Sequence, residues 1–127
     1  MAPRARPVSP HLQIYRFTMT MTMSIVHRIT GIANYVGTAI LALWLLSAAV
    51  GGAFFDLSNL ILGSSFGQLV LFGYTWSLFH HALGGIRHFV WDFLQAMDPA
   101  GREMIVRLQL ALSILLTIGA WALWVWR

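Results

Sequence analysis

An all-α membrane protein with three transmembrane helices is the fold class this sequence predicts, and two observations carry it. Of its 127 residues 58% are hydrophobic and 9% charged, with a mean hydropathy of +0.72, far outside the range of soluble globular chains. Residues 29–50, 66–91 and 108–126 form apolar stretches long enough to cross a hydrocarbon core of roughly 30 Å. So short a chain has room for a single membrane-anchor domain over residues 1–127 and none for a separate soluble catalytic lobe.

Residues 1–23 are expected to form an extended or interfacial docking segment. Thr and Met alternate through residues 18–23, a strand period, yet a lone strand cannot span a bilayer. The segment is therefore expected to run extended along the interface against a protein partner, with the first helix starting near Thr22 to Ser24. The leading residues lack the apolar core of a secretory signal, and no transit peptide is expected in the five residues before Arg6. A bacterial cytoplasmic membrane is expected in preference to the mitochondrial inner membrane.

The first helix is placed at residues 24–50. Gly51, Gly52, Asp56, Ser58, Asn59, Gly63, Ser64 and Ser65 then predict a loop over residues 51–65. The second helix follows at residues 66–93. A connection through Asp98, Pro99 and Gly101 leads to the third at residues 106–126. Seven of the eight Arg lie before the first span, at the end of the second or in the connection to the third, which predicts a cytoplasmic N-terminus. Trp121, Trp124 and Trp126 read as an aromatic belt at the opposite surface.

Composition also excludes functions. Without cysteine the chain has no disulfide, thiolate metal site or iron-sulfur ligation. A net charge of +4 and a pI near 10.8 would suggest nucleic acid in a soluble protein, but here the membrane accounts for the Arg residues and no nucleic-acid partner is expected. There is no Ser-His-Asp order, carboxylate pair, phosphate-cradling glycine loop or metalloprotease helix. Electron or proton transfer remains, or a non-catalytic membrane adaptor.

Two polar clusters carry that chemistry. Ser24, His27, Arg28 and Gly31 stand at i, i+3, i+4 and i+7, on one face at the cytoplasmic mouth of the first helix. The plainer alternative has Arg28 snorkelling to headgroups and His27 at the interface. His80, His81, Gly84, Gly85, Arg87, His88 and Asp92 lie toward the same side on the second helix. A charge at mid-span costs about 2.5–3.5 kcal/mol on insertion scales, so such a cluster needs partners or a cofactor. His81, Gly84, Gly85 and His88 repeat the i, i+3, i+4, i+7 spacing, so an imidazole looks along a face bare of side chains, where a flat macrocycle could approach. Close helix packing is the other use for such glycines. His81 lies about 15 Å deeper than Trp91, halfway through the core, a depth that suits a buried haem. His80 points about 100° away from His81 and reads as a packing or hydrogen-bonding residue.

The run Arg6-Pro7-Val8-Ser9-Pro10-His11-Leu12-Gln13-Ile14-Tyr15, then Ser24-Ile25-Val26-His27-Arg28-Ile29-Thr30-Gly31, resembles the N-terminal signature of the succinate dehydrogenase cytochrome b subunit family. His81, then Gly85-Ile86-Arg87-His88 and Trp91-Asp92, resembles its haem-ligand signature. The resemblance implies that His81 is one axial ligand of a b-type haem, the other coming from a small membrane-anchor subunit. It implies that His27 and Arg28 meet haem propionates, that Gly84, Gly85, Arg87 and His88 surround the haem, and that Ser24 and Arg28 bind ubiquinone or another quinone. Asp92 is then placed to orient Arg28 or deliver protons. Residues 7–15 would dock the iron-sulfur subunit, while FAD and the iron-sulfur clusters belong to the flavoprotein and iron-sulfur partners. An anchor of quinol:fumarate reductase is the nearest alternative, and the membrane adaptor a more distant one.

Overall fold

The computed structural model describes residues 10–126, which are helical throughout apart from short connections, with no strand among the described residues. A short 3-10 turn at His11–Ile14 leads into α1 (Met19–Val50), followed by α2 (Gly52–Gly63), α3 (Ser65–Asp92) and α4 (Pro99–Val125). α3 lies between α1 and α4, and α2 packs where α1 and α3 meet. At about 1.5 Å per residue, α1, α3 and α4 each reach beyond a hydrocarbon core of roughly 30 Å. α1 and α4 are each apolar enough to cross a membrane alone. α3 passes that test only together with α2, from which it is bent by 75°. The polar cluster on α3 is the reason: His80, His81, Arg87 and His88 all fall within it.

Burial in this bundle runs opposite to that of a soluble protein. Thr30, Ser47, Ser77, His80, Arg87, Gln109, Ser113 and Thr117 are buried, against only Met23 and Val106 among the large apolar side chains of the described residues, while Leu, Ile and Phe residues cover the outside. Lipid is as apolar as leucine, so helices in it gain little by burying leucine and associate through small residues and interhelical hydrogen bonds. Between α1 and α3, Ser77 Oγ lies 2.7 Å from Asn34 Oδ1 and 3.0 Å from the Thr30 carbonyl oxygen. Thr38 Oγ1 and Tyr74 OH are 3.1 Å apart, and the Tyr74 ring occupies the space that any β-carbon on Gly37 would need. Between α3 and α4, Gln109 Nε2 donates to the His80 carbonyl at 3.0 Å, and Trp121 Nε1 donates to Thr75 Oγ1 at 3.3 Å.

Three expectations are corrected. Residues 18–23 are not extended: α1 begins at Met19, capped by Thr18, whose Oγ1 accepts from the Met21 amide at 3.4 Å, while Thr22 Oγ1 donates back to the Thr18 carbonyl at 3.2 Å. A helix satisfies its own backbone where a lone strand would not, and that outweighs the alternation. The exposed stretch before Thr18 keeps an extended backbone at Tyr15; residues 1–9 of the expected docking segment, and so part of the strip 7–15, lie outside the described residues. The loop expected over residues 51–65 is the helix α2. Its glycines and two of its serines stand at its ends, where Gly51 and Gly52 take φ of +74° and +60° to reverse the chain and Ser64 caps α3 through the Gly67 amide at 3.1 Å. Ser58 lies mid-helix and returns its hydroxyl to the Phe54 carbonyl at 2.9 Å. Within α2, Asn59 Oδ1 accepts from Trp44 Nε1 at 3.1 Å. Finally, the last helix starts at Pro99 rather than near 106, because Asp98 accepts from the Gly101 amide at 3.0 Å and proline suits the first helical turn.

Gly37→Ala is expected to lower the thermal midpoint of the protein in detergent by several degrees, because Tyr74 must leave its place between α1 and α3. Gly119→Ala, where a β-carbon meets nothing within 4 Å, serves as the control and should leave the midpoint level or slightly raised. Equal midpoints for the two variants would refute the α1–α3 packing.

Candidate functional site

The two polar clusters meet across the α1–α3 contact. The imidazoles of His27 and His81 stack with centroids 4.1 Å apart and planes 10° from parallel. Each ring is tied to the other residue's main chain: His81 Nδ1 donates to the His27 carbonyl at 3.1 Å, and His27 Nε2 donates to the His81 carbonyl at 3.3 Å. This clamp forms because Gly84 carries no side chain; a β-carbon there would overlap the His27 ring. Gly84 is therefore covered by His27 and Gln109, whereas a β-carbon on Gly85 would meet nothing within 4 Å. The adjacent glycines, alike in sequence, serve different surroundings.

The adjacent histidines also separate. His80 is 0% exposed and has both ring nitrogens engaged with α4, Nε2 accepting from Gln109 Nε2 at 3.2 Å and Nδ1 facing Ser113 Oγ at 3.4 Å. It has the packing and hydrogen-bonding surroundings expected of it. His81 Nε2 has no hydrogen-bond partner among the described residues, and it is not among the polar atoms sealed inside the bundle. A neutral imidazole bonded through one nitrogen keeps the other as a coordinating lone pair.

Toward the end of α3, Arg87 is 2% exposed with its guanidinium 4.9 Å from the Trp91 ring centroid. Its Nε and Nη1, Trp91 Nε1 and Gln109 Oε1 are buried without hydrogen-bond partners among the described residues. A buried guanidinium is costly unless an anion or acceptor meets it, and the ion pair among the described residues lies elsewhere, between Arg107 and Glu103 at 2.9 Å. His88 is exposed and stands edge-on to both His27 and Trp91 at 5.6 Å.

Ser24 and Arg28 line one open groove of about 610 Å³, with Tyr15, Phe17, Trp91 and Arg102 among its other walls. The approach to α1, its first turns, the end of α3 and the start of α4 thus share this cavity, one helical turn from His27. Arg102 and Trp91 escaped sequence reasoning as walls of this groove, because their place depends on how the α3–α4 connection folds back, and Tyr15 and Phe17 because theirs depends on how the approach to α1 runs past it. Asp92 ends α3 exposed and forms no ion pair with Arg28 among the described residues.

Residues 2–120 match the family described as Succinate dehydrogenase/Fumarate reductase transmembrane subunit. The chain belongs to this family. It is 36% identical over 121 residues to a succinate dehydrogenase cytochrome b556 subunit of Rickettsia felis, covering 91% of this chain and 90% of that protein. It is 38% identical over 87 residues to the cytochrome b556 subunit of Paracoccus denitrificans, covering 68% and 67%. A mitochondrial cytochrome b560 subunit of Sus scrofa is 34% identical over 119 residues, covering 90% and 69%.

For a member of this family, the fold gathers Ser24 with Arg28 and His27 with His81, and leaves Asp92 apart. Gly84→Ala should expel His27 from the clamp and reduce the yield of folded, membrane-inserted protein, while Gly85→Ala is expected to be tolerated. Comparable yields on gel filtration in detergent would contradict the position of His27.

Proposed function

We propose that this chain is the membrane-anchor cytochrome b subunit of a succinate:quinone oxidoreductase, sharing a b-type haem with a small anchor subunit and forming part of the site where quinone receives electrons from the iron-sulfur subunit. The observation that carries the reading is the juxtaposition of two features. One is the His81 imidazole with Nδ1 engaged and Nε2 free, and the other is a groove holding a hydroxyl and a guanidinium one helical turn from His27, the ring stacked on it.

The residues fit the haem. His81 would hold the haem iron through Nε2, and His80 is excluded from that part, since both of its nitrogens are already engaged. The unpartnered N–H groups of Arg87 and Trp91 offer buried donors for a propionate, alongside Arg28 and His27, and Gly85 leaves open space beside His81. When bound, the haem supplies one-electron storage. Ser24 donates a hydrogen bond to a quinone carbonyl, and Arg28 stabilises the negative charge that develops on the quinone oxygen as it is reduced. The aromatic wall of the groove suits a flat ring. Asp92, exposed and unpaired with Arg28, is better placed to relay protons than to orient the guanidinium.

Counting α2 with α3 as one span, together with the Arg distribution, supports three spans with the N-terminus in the cytoplasm, and in that orientation the groove lies on the side where a cytoplasmic iron-sulfur subunit would dock on residues 7–15. Succinate chemistry belongs to the flavoprotein, and the membrane is that of a bacterial cell. The family description also names fumarate reductase, so a quinol-oxidising anchor is the second reading. The ratio of succinate-to-quinone and quinol-to-fumarate turnover in the purified complex separates the two.

His81→Ala is expected to abolish the b-type reduced-minus-oxidised spectrum of the complex, whereas His80→Ala should keep it at a cost in stability; a normal spectrum in His81→Ala removes that residue as ligand. Arg28→Ala should lower quinone reduction by about 10²-fold or more, and Ser24→Ala by less, with electron transfer from succinate to a soluble dye unchanged. Wild-type quinone kinetics in both variants would sink the quinone site.

A further inference from the structure

We infer that Thr30 is a positioning residue for His81, holding its imidazole in one tautomer and one plane so that Nε2 faces out of the α1–α3 pair. The inference rests on the reading of His81 as the axial ligand. Thr30 is 2% exposed, and its Oγ1 lies 2.9 Å from the His27 carbonyl and 3.4 Å from His81 Nδ1. The hydroxyl has one proton, and the shorter bond to the carbonyl takes it. Thr30 Oγ1 therefore turns a lone pair toward Nδ1, and the His27 carbonyl, 3.1 Å from the same nitrogen, is also an acceptor. Two acceptors facing Nδ1 require the proton to sit there. The tautomer with a free Nε2 lone pair is thereby selected before any metal arrives.

The plane is held as well. His27 stacks on one face of the His81 ring, and Gly31 lets the other residues close in: a β-carbon there would stand 3.1 Å from His81 Cε1. Thr30 is itself anchored, because its carbonyl oxygen lies 3.0 Å from Ser77 Oγ on α3. An Nδ1–H bonded to acceptors makes the imidazole a stronger electron donor to the iron, which favours the oxidised state.

The test uses the assembled, haem-loaded complex. Thr30→Val keeps the shape and removes the hydroxyl. It should retain haem while shifting the midpoint potential to more positive values and moving the low-spin EPR signal, and Thr30→Ser should restore both. Gly31→Ala, which presses on the ring and leaves the hydroxyl in place, should move the EPR signal too, and this arm remains readable should Thr30→Val not assemble. Wild-type potential and EPR signal in Thr30→Val, a serine variant that behaves like valine, or an unmoved signal in Gly31→Ala would each overturn the inference. None of these outcomes touches the ligand assignment, which falls only if His81→Ala keeps its b-type spectrum.

Discussion

An apolar solvent makes each buried polar group find its partner inside the protein, and the rest of this structure follows from that constraint. In water the leucines would turn inward; here they turn outward, and Ser, Thr, His and Gln line the helix contacts. The same rule explains why Thr18 caps a helix where alternation alone suggested a strand, and why α3 turns Ser77, His80 and Arg87 inward while it packs against both α1 and α4.

The His27–His81 clamp shows how packing and chemistry share the same atoms. The two reciprocal ring-to-backbone bonds join α1 to α3, and they also leave one nitrogen of each imidazole unspent, Nδ1 on His27 and Nε2 on His81. A histidine serving structure alone resembles His80, with both nitrogens engaged and no exposure. The contrast between neighbours in the chain arises from the 100° step of the helix, which sends one ring to α4 and the other to α1.

Incomplete polar satisfaction is equally informative. Arg87, Trp91 and Gln109 keep buried donors and an acceptor without partners among the described residues, on the side where Ser24 and Arg28 open onto the groove. A membrane bundle tolerates such groups only where something else completes them. This chain is built as one part of a site, with the remaining contacts supplied by cofactor and neighbouring subunits under the proposed function.

Composition and periodicity alone determined the helical membrane class, the outer helices, and the convergence of Ser24, His27, Arg28 and His81 toward one side, because hydropathy and the 3.6-residue repeat are properties of sequence. Gly51, Gly52, Ser64 and Ser65 were legible as breaks, but Asp56, Ser58 and Asn59 lie inside α2, where polar composition by itself reads as loop. Which glycine packs and which stays open, which of two histidines is spent, and that Thr30, Trp91 and Arg102 join the site were decided only by the tertiary structure. Those choices depend on which helix stands opposite each side chain and at what distance, and helix pairing between α1, α3 and α4 is written in no single segment.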